Sequence, residues 1–75
     1  MDQSLEYLGY VIGWQEPPLT SAGYDIGIAS DDLDLQRRLE AHFRIKGAHC
    51  FRMAGSIGDA IDRAKRDVDA VLNRS

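Results

Sequence analysis

Residues Tyr24–Met53 constrain this chain more than any other stretch. Tyr24-Asp25-Ile26-Gly27-Ile28-Ala29 alternates apolar with small or polar residues, the period-2 mark of a strand with one buried face. Ser30-Asp31-Asp32 follows with capping side chains, which fits a helix start. Leu33 to Lys46 reads as that helix, with Gly47 as its stop, and Ala48 to Met53 reads as the next strand. Strand, helix and strand in about thirty residues is close to the minimum for such a unit.

Length limits what can be added to it. A 75-residue chain is one domain, and a chain of this size buries only about 60% of its unfolded surface. Domains so small often lean on disulfides, a metal or a second subunit. The single cysteine, Cys50, excludes an internal disulfide, and Cys50, His42 and His49 do not make a four-ligand zinc set. No metal or cofactor is expected, which leaves self-association as the remaining support. A net charge of −3 argues against non-specific binding to nucleic acid. No apolar run reaches the ~20 residues of a membrane span, and Met1-Asp2-Gln3-Ser4 lacks the features of a signal peptide. The expected location is the cytoplasm, where a lone thiol stays reduced.

In chain order, Leu5 to Glu16 reads as one long strand. Leu8, Tyr10, Ile12 and Trp14 share one face, and Tyr7, Gly9, Val11 and Gly13 share the other. Pro17-Pro18 ends it, and Leu19 to Gly23 is the connecting loop. On the first helix, Leu35, Leu39, His42 and Phe43 form the apolar stripe, with Leu33 off it. On the next strand, His49, Phe51 and Met53 form the core face. Ser56 and Asp59 resemble a capping box that opens the last helix. Its core arc is Ile57, Ala60, Ile61, Ala64, Val68, Val71 and Leu72, and Asp59–Arg63, Asp62–Arg66 and Lys65–Asp69 are spaced as i,i+4 pairs outside it.

The expected fold is therefore α/β (α+β) in the order β-β-α-β-α, a three-stranded sheet with two helices on one face. The long first strand is placed in the middle, with adjacency of the other two strands as the alternative. The crossover joining those two is expected to be right-handed. The far face then carries Tyr7, Gly9, Val11, Gly13, Gly27, Ala29, Ala48 and Cys50, small and uncovered. Such a patch marks a contact surface.

Two resemblances bear on function. Tyr7, Gly9, Tyr10 and Ile12, with Val68-Asp69-Ala70-Val71-Leu72 at the end, resemble small uncharacterised bacterial proteins with a Tyr-x-Gly-Tyr-x-Ile opening strand and a C-terminal amphipathic helix. That resemblance implies a bacterial origin and a fold, but no activity. Ile26–Ala29, Asp31-Asp32, Leu39 and Gly47 resemble the first strand, acidic pocket and first helix of receiver domains. Val68 to Asn73 is similar to the strand that carries their phosphoacceptor. Asn73 stands where the acceptor would be, and Val68 and Leu72 continue the helical arc from Ile57. A truncated receiver-like module is thus the disfavoured alternative.

Candidate sites follow from the same residues. Tyr7, Val11, Trp14 and Cys50 are candidate interaction residues of the open face, Trp14 being a core residue in the competing reading. Arg37, Arg38, Arg44 and Lys46 form a basic stripe that suits an anion or nucleic acid, against the plainer reading of a solvated helix face. Asp31 and Asp32 suit capping better than Mg²⁺, and His49 and Cys50, being neighbours on a strand, point to opposite faces and form no dyad. No catalytic set is legible. The sequence thus points to a non-enzymatic interaction or regulatory module that pairs with itself or with another protein.

Overall fold

The structure is a computed structural model that describes residues 3–15 and 23–73. The proline pair, residues 19–22 of the expected loop and both chain ends lie outside the described residues. Six elements follow in order: β1 (Gln3–Tyr7), β2 (Tyr10–Gln15), β3 (Tyr24–Ala29), α1 (Leu33–Phe43), β4 (His49–Met53) and α2 (Ile57–Val71). The α+β class holds, but the sheet has four strands, in the order β1-β2-β3-β4, all antiparallel.

The fourth strand arises because the long first strand is a hairpin. Leu8 and Gly9 both take positive φ, 54° and 88°, and Tyr7 pairs directly with Tyr10 across them. Two positive-φ residues make the tight turn whose twist matches that of the strands it joins. Leu8 is therefore 41% exposed at a turn tip rather than part of a core face. Tyr7 moves to the face it was not expected on, since a two-residue turn puts its flanking residues on the same side. Glycine suits position 9 because of its positive φ, while a Cβ there would lie 2.5 Å from Leu35 Cδ1, the tip of a side chain that can shift. Leu8 has no such excuse, because a non-glycine residue with a left-handed backbone costs about 1–2 kcal/mol. Leu8→Asn, which gives the favoured Asn-Gly turn, is expected to raise the melting temperature by roughly 4–8 °C for about 1 kcal/mol gained. A thermal melt followed by circular dichroism checks it.

The strand order corrects the expectation in a second way. β3 pairs with β4, the adjacency held as the alternative, and the expected long strand takes one side of the sheet, with β1 at the edge and β2 beside β3. The α1 crossover joins antiparallel strands, so the right-handed rule for parallel units has no purchase on it.

Both helices cover one face. Tyr10, Ile12, Ile26 and Ile28 from the strands meet Leu39, Ala60, Ala64 and Val68 from the helices, and all eight are buried. The alternation of β3 and the helical arc of α2 supply this core as expected. The Tyr10 hydroxyl donates to the Leu35 carbonyl at 2.6 Å, which gives the buried ring a polar anchor on α1. Burial pushes its phenol pKa up, opposed by a smaller downward pull from Arg38 and helped by a smaller upward one from Asp32.

The helix ends are built locally. Asp32 Oδ1 accepts from the N–H groups of Asp34 and Leu35, and Ser56 Oγ accepts from the Asp59 N–H. α1 stops three residues short of the expected end, because Arg44 takes the left-handed C-cap conformation at φ 56° and the Ile45 N–H returns to the Glu40 carbonyl. On α2 the ion pair observed among the described residues is Arg63–Asp67 at 3.5 Å, in place of the three pairs read from spacing. Asp67 also meets the His49 ring at 3.3 Å, which ties α2 to β4.

Candidate functional site

Antiparallel register decides what stands on the uncovered face of the sheet. Ser4 pairs with Gly13, Gly13 with Gly27, and Gly27 with Cys50, so one row of small residues crosses all four strands. Glu6, Val11 and Ala29 form the row on one side of it, and Gln15, Asp25 and Arg52 form the row on the other. The small row is the floor of an open groove of about 600 Å³, bordered at one end by Trp14 and Gln15.

The two glycines on this floor differ from those in the turns. Neither Gly13 nor Gly27 has positive φ. A Cβ built on Gly13 would come 3.7 Å from the Gln3 carbonyl oxygen, and one on Gly27 would come 3.7 Å from Cys50 Sγ. Both are ordinary contact distances. The backbone does not need glycine at either place, and glycine within a strand costs roughly 0.5–1 kcal/mol relative to alanine. The fold alone therefore leaves these two residues unexplained.

Polar groups frame the groove unevenly. Arg52 and Asp25 face each other across β4 and β3, with Arg52 Nε donating to Oδ1 at 2.8 Å and an Nη donating to Oδ2 at 3.2 Å. This hydrogen bond from Arg52 pulls the Asp25 pKa down, and the same contact raises that of Arg52. Both side chains are more than half exposed, so the pair contributes little to stability. At the opposite corner, Glu6 has no cation within ion-pair distance among the described residues.

The interaction residues read from sequence divide between the two faces. Val11 and Cys50 stand on the open face, Cys50 as an exposed free thiol. Tyr7 does not. Its hydroxyl donates to Asp69 Oδ1 of α2 at 3.0 Å, and the Lys65 ammonium lies 5.5 Å from its ring centre. Trp14 packs partly against the core, and its indole N–H donates to Gln3 Oε1 at 3.1 Å while the side chain borders the groove. The expected open-face set also loses Gly9, which sits in the turn.

The basic residues Arg37, Arg38, Arg44 and Lys46 are all exposed. They share their end of α1 with Glu40, whose carboxylate accepts from the Gln36 side chain and from the Gly47 N–H. Those two hydrogen bonds hold the Glu40 pKa below the usual carboxylate value, with a smaller contribution from the charges of Arg37 and Lys46. The stripe is thus broken by an acid that the fold uses to anchor the turn into β4.

His42 is exposed and lies edge-on to Phe43, whose ring stacks on His49 at 3.7 Å between centres and 4° between planes. Neither histidine joins a group of three potential metal ligands among the described residues. Of Val68 to Asn73, likened to a receiver's phosphoacceptor strand, Val68 to Val71 lie in α2 and Leu72 is its C-cap. No helix among the described residues is long and apolar enough to cross a membrane. Comparison with protein-family models, with curated proteins and with solved structures finds no match.

Proposed function

We propose that this chain is a non-enzymatic interaction module that pairs with a second copy of itself through the open face of its sheet. The observation that supports this most is the pair of glycines, Gly13 and Gly27. Both stand at mid-strand positions where a side chain fits and would stabilise the strand. Bare backbone is useful there when another surface must approach closely. A chain with little core to spare gains from covering this face, and Val11, Ala29 and Cys50 give it an apolar content suited to a contact.

The reading separates stability from association, and that separation is its test. Gly13→Val and Gly27→Val are expected to leave the melting temperature of the dilute protein unchanged or to raise it by a few degrees, since β-branched residues favour strands. In sedimentation velocity at several hundred micromolar, the same variants are expected to stay monomeric while the unsubstituted chain forms dimers. An unsubstituted chain that remains monomeric in that range removes the proposal. So does a valine variant that dimerises as well as the original.

A further inference from the structure

The open face carries Glu6 at one corner and the Arg52–Asp25 pair at the other, and their placement says how two copies would meet. Glu6 lies on edge strand β1 at one end of the face, and Arg52 lies on edge strand β4 at the other end, across the Ser4–Gly13–Gly27–Cys50 row. With strands about 4.8 Å apart and residues about 3.4 Å apart along each, the two corners are separated by roughly 14 Å across the sheet and roughly 14 Å along it. The line between them therefore runs at about 45° to the strands. A two-fold axis lying in the interface, perpendicular to that line, sets Glu6 of each copy over Arg52 of the other. The same operation turns the strands of one sheet by about 90° relative to those of its partner, which is one of the two ways that sheets pack face to face.

Resting on the reading of the open face as a self-contact, we propose that the pairing is a crossed, two-fold packing of sheets fixed by two reciprocal Glu6–Arg52 contacts. Arg52 can serve both partners. Its Nε and one Nη hold Asp25 within the chain, and a guanidinium has five N–H donors, so it retains others for an incoming carboxylate. Asp25 has both carboxylate oxygens engaged. Glu6 has no competing cation among the described residues. Alternative two-fold arrangements lose this match. An axis along the small-residue row sets each strand over its own copy, so Arg52 faces residue 48, an alanine, and the two Cys50 thiols meet on the axis. In the crossed packing the two Cys50 Cα atoms are roughly 14 Å apart, taking sheets about 10 Å apart, beyond the ~7 Å limit for a disulfide.

The face spans about four strands by five residues, roughly 300 Å² in plan, well under the ~800 Å² per partner of a standard interface. The association is accordingly weak and sensitive to salt. Sedimentation equilibrium between roughly 20 and 500 micromolar, the range suited to a weak association, measures it on the unsubstituted chain, Glu6→Gln, Arg52→Gln and the double variant. Each single variant is expected to weaken dimerisation about tenfold and the double variant no further, because either substitution removes both contacts. Thermal melts at low concentration show whether Arg52→Gln acts through the lost Asp25 bond instead. A dimer indifferent to both substitutions, or one that mild oxidation links rapidly through Cys50, overturns the crossed packing and leaves the self-contact standing. The absence of any dimer overturns both.

Discussion

Replacing Ile28 by alanine is expected to destabilise this protein by about 2–4 kcal/mol, the usual loss for a buried isoleucine. Ile28 is fully buried on β3, an interior strand of the sheet, opposite Ile12 on β2 and under the helix layer. β3 and α2 are both held in place by their own packing, so the cavity has little scope to collapse. A 75-residue domain has a total stability of about 4–11 kcal/mol on a per-residue scale. The loss therefore takes about a fifth of what there is at the least, and most of it at the other extreme. The melting temperature should fall by roughly 10–25 °C, and a urea titration should show a lower midpoint. A midpoint shifted by less than about a tenth of the original value would mean that the helix layer is not seated on β3 as described.

The second large effect is expected from filling space rather than emptying it. Ala60, Ala64 and Val68 repeat at every fourth residue along α2 and are all fully buried. Alanine at two of these positions lets the helix backbone lie close to the sheet. Ala64→Leu adds three carbons where neither the strands nor the helix can retreat without breaking neighbouring contacts, and overpacking of this kind costs about 1–3 kcal/mol. Leucine is almost as good a helix former as alanine, so propensity does not account for the loss. Ala64→Gly is the useful control, since it removes one methyl and costs about 1 kcal/mol through propensity. Greater damage from leucine than from glycine would show that close approach, not helix content, is what Ala64 provides.

How far the fold could be read from sequence depended on whether local chemistry and periodicity agreed. They agree for both helices. Asp32 and Ser56 cap where capping residues stand, and Leu39, Ala60, Ala64 and Val68 are buried where the helical period puts them. They disagree at Leu8-Gly9. Leucine is a poor turn residue, so unbroken alternation through residues 5–16 hid a hairpin. A two-residue turn then shifted the parity of everything before it, which is why Tyr7 was expected on the open face and lies under α2. The signal that could have revealed it was Gly9 next to one residue between two runs of apolar alternation. The ion pairs of α2 misled for another reason. Arg63 has an acid four residues away on either side, and spacing cannot say that Asp67, also held by His49, is the one it meets.

The open face itself was legible in part. That it would be small-residued followed from the strands once both helices were placed on one side. Its register was not legible, because register depends on which residues sit in the turns. The alignment of Ser4, Gly13, Gly27 and Cys50 into one row is a property of three strand pairings together.

Strand order in this sheet is also chain order. Each strand adds beside the one made before it, so no segment has to find a distant partner through an already formed layer. The loop-closure entropy of each addition is that of a turn, a short connection or one helix, and it rises only slowly with length. A sheet laid down in this way favours rapid folding for its size, with the ordering of chain segments spread over several small steps. The sheet of this molecule is thus simple to assemble, while the side that remains bare after assembly carries its small residues in one row across the middle.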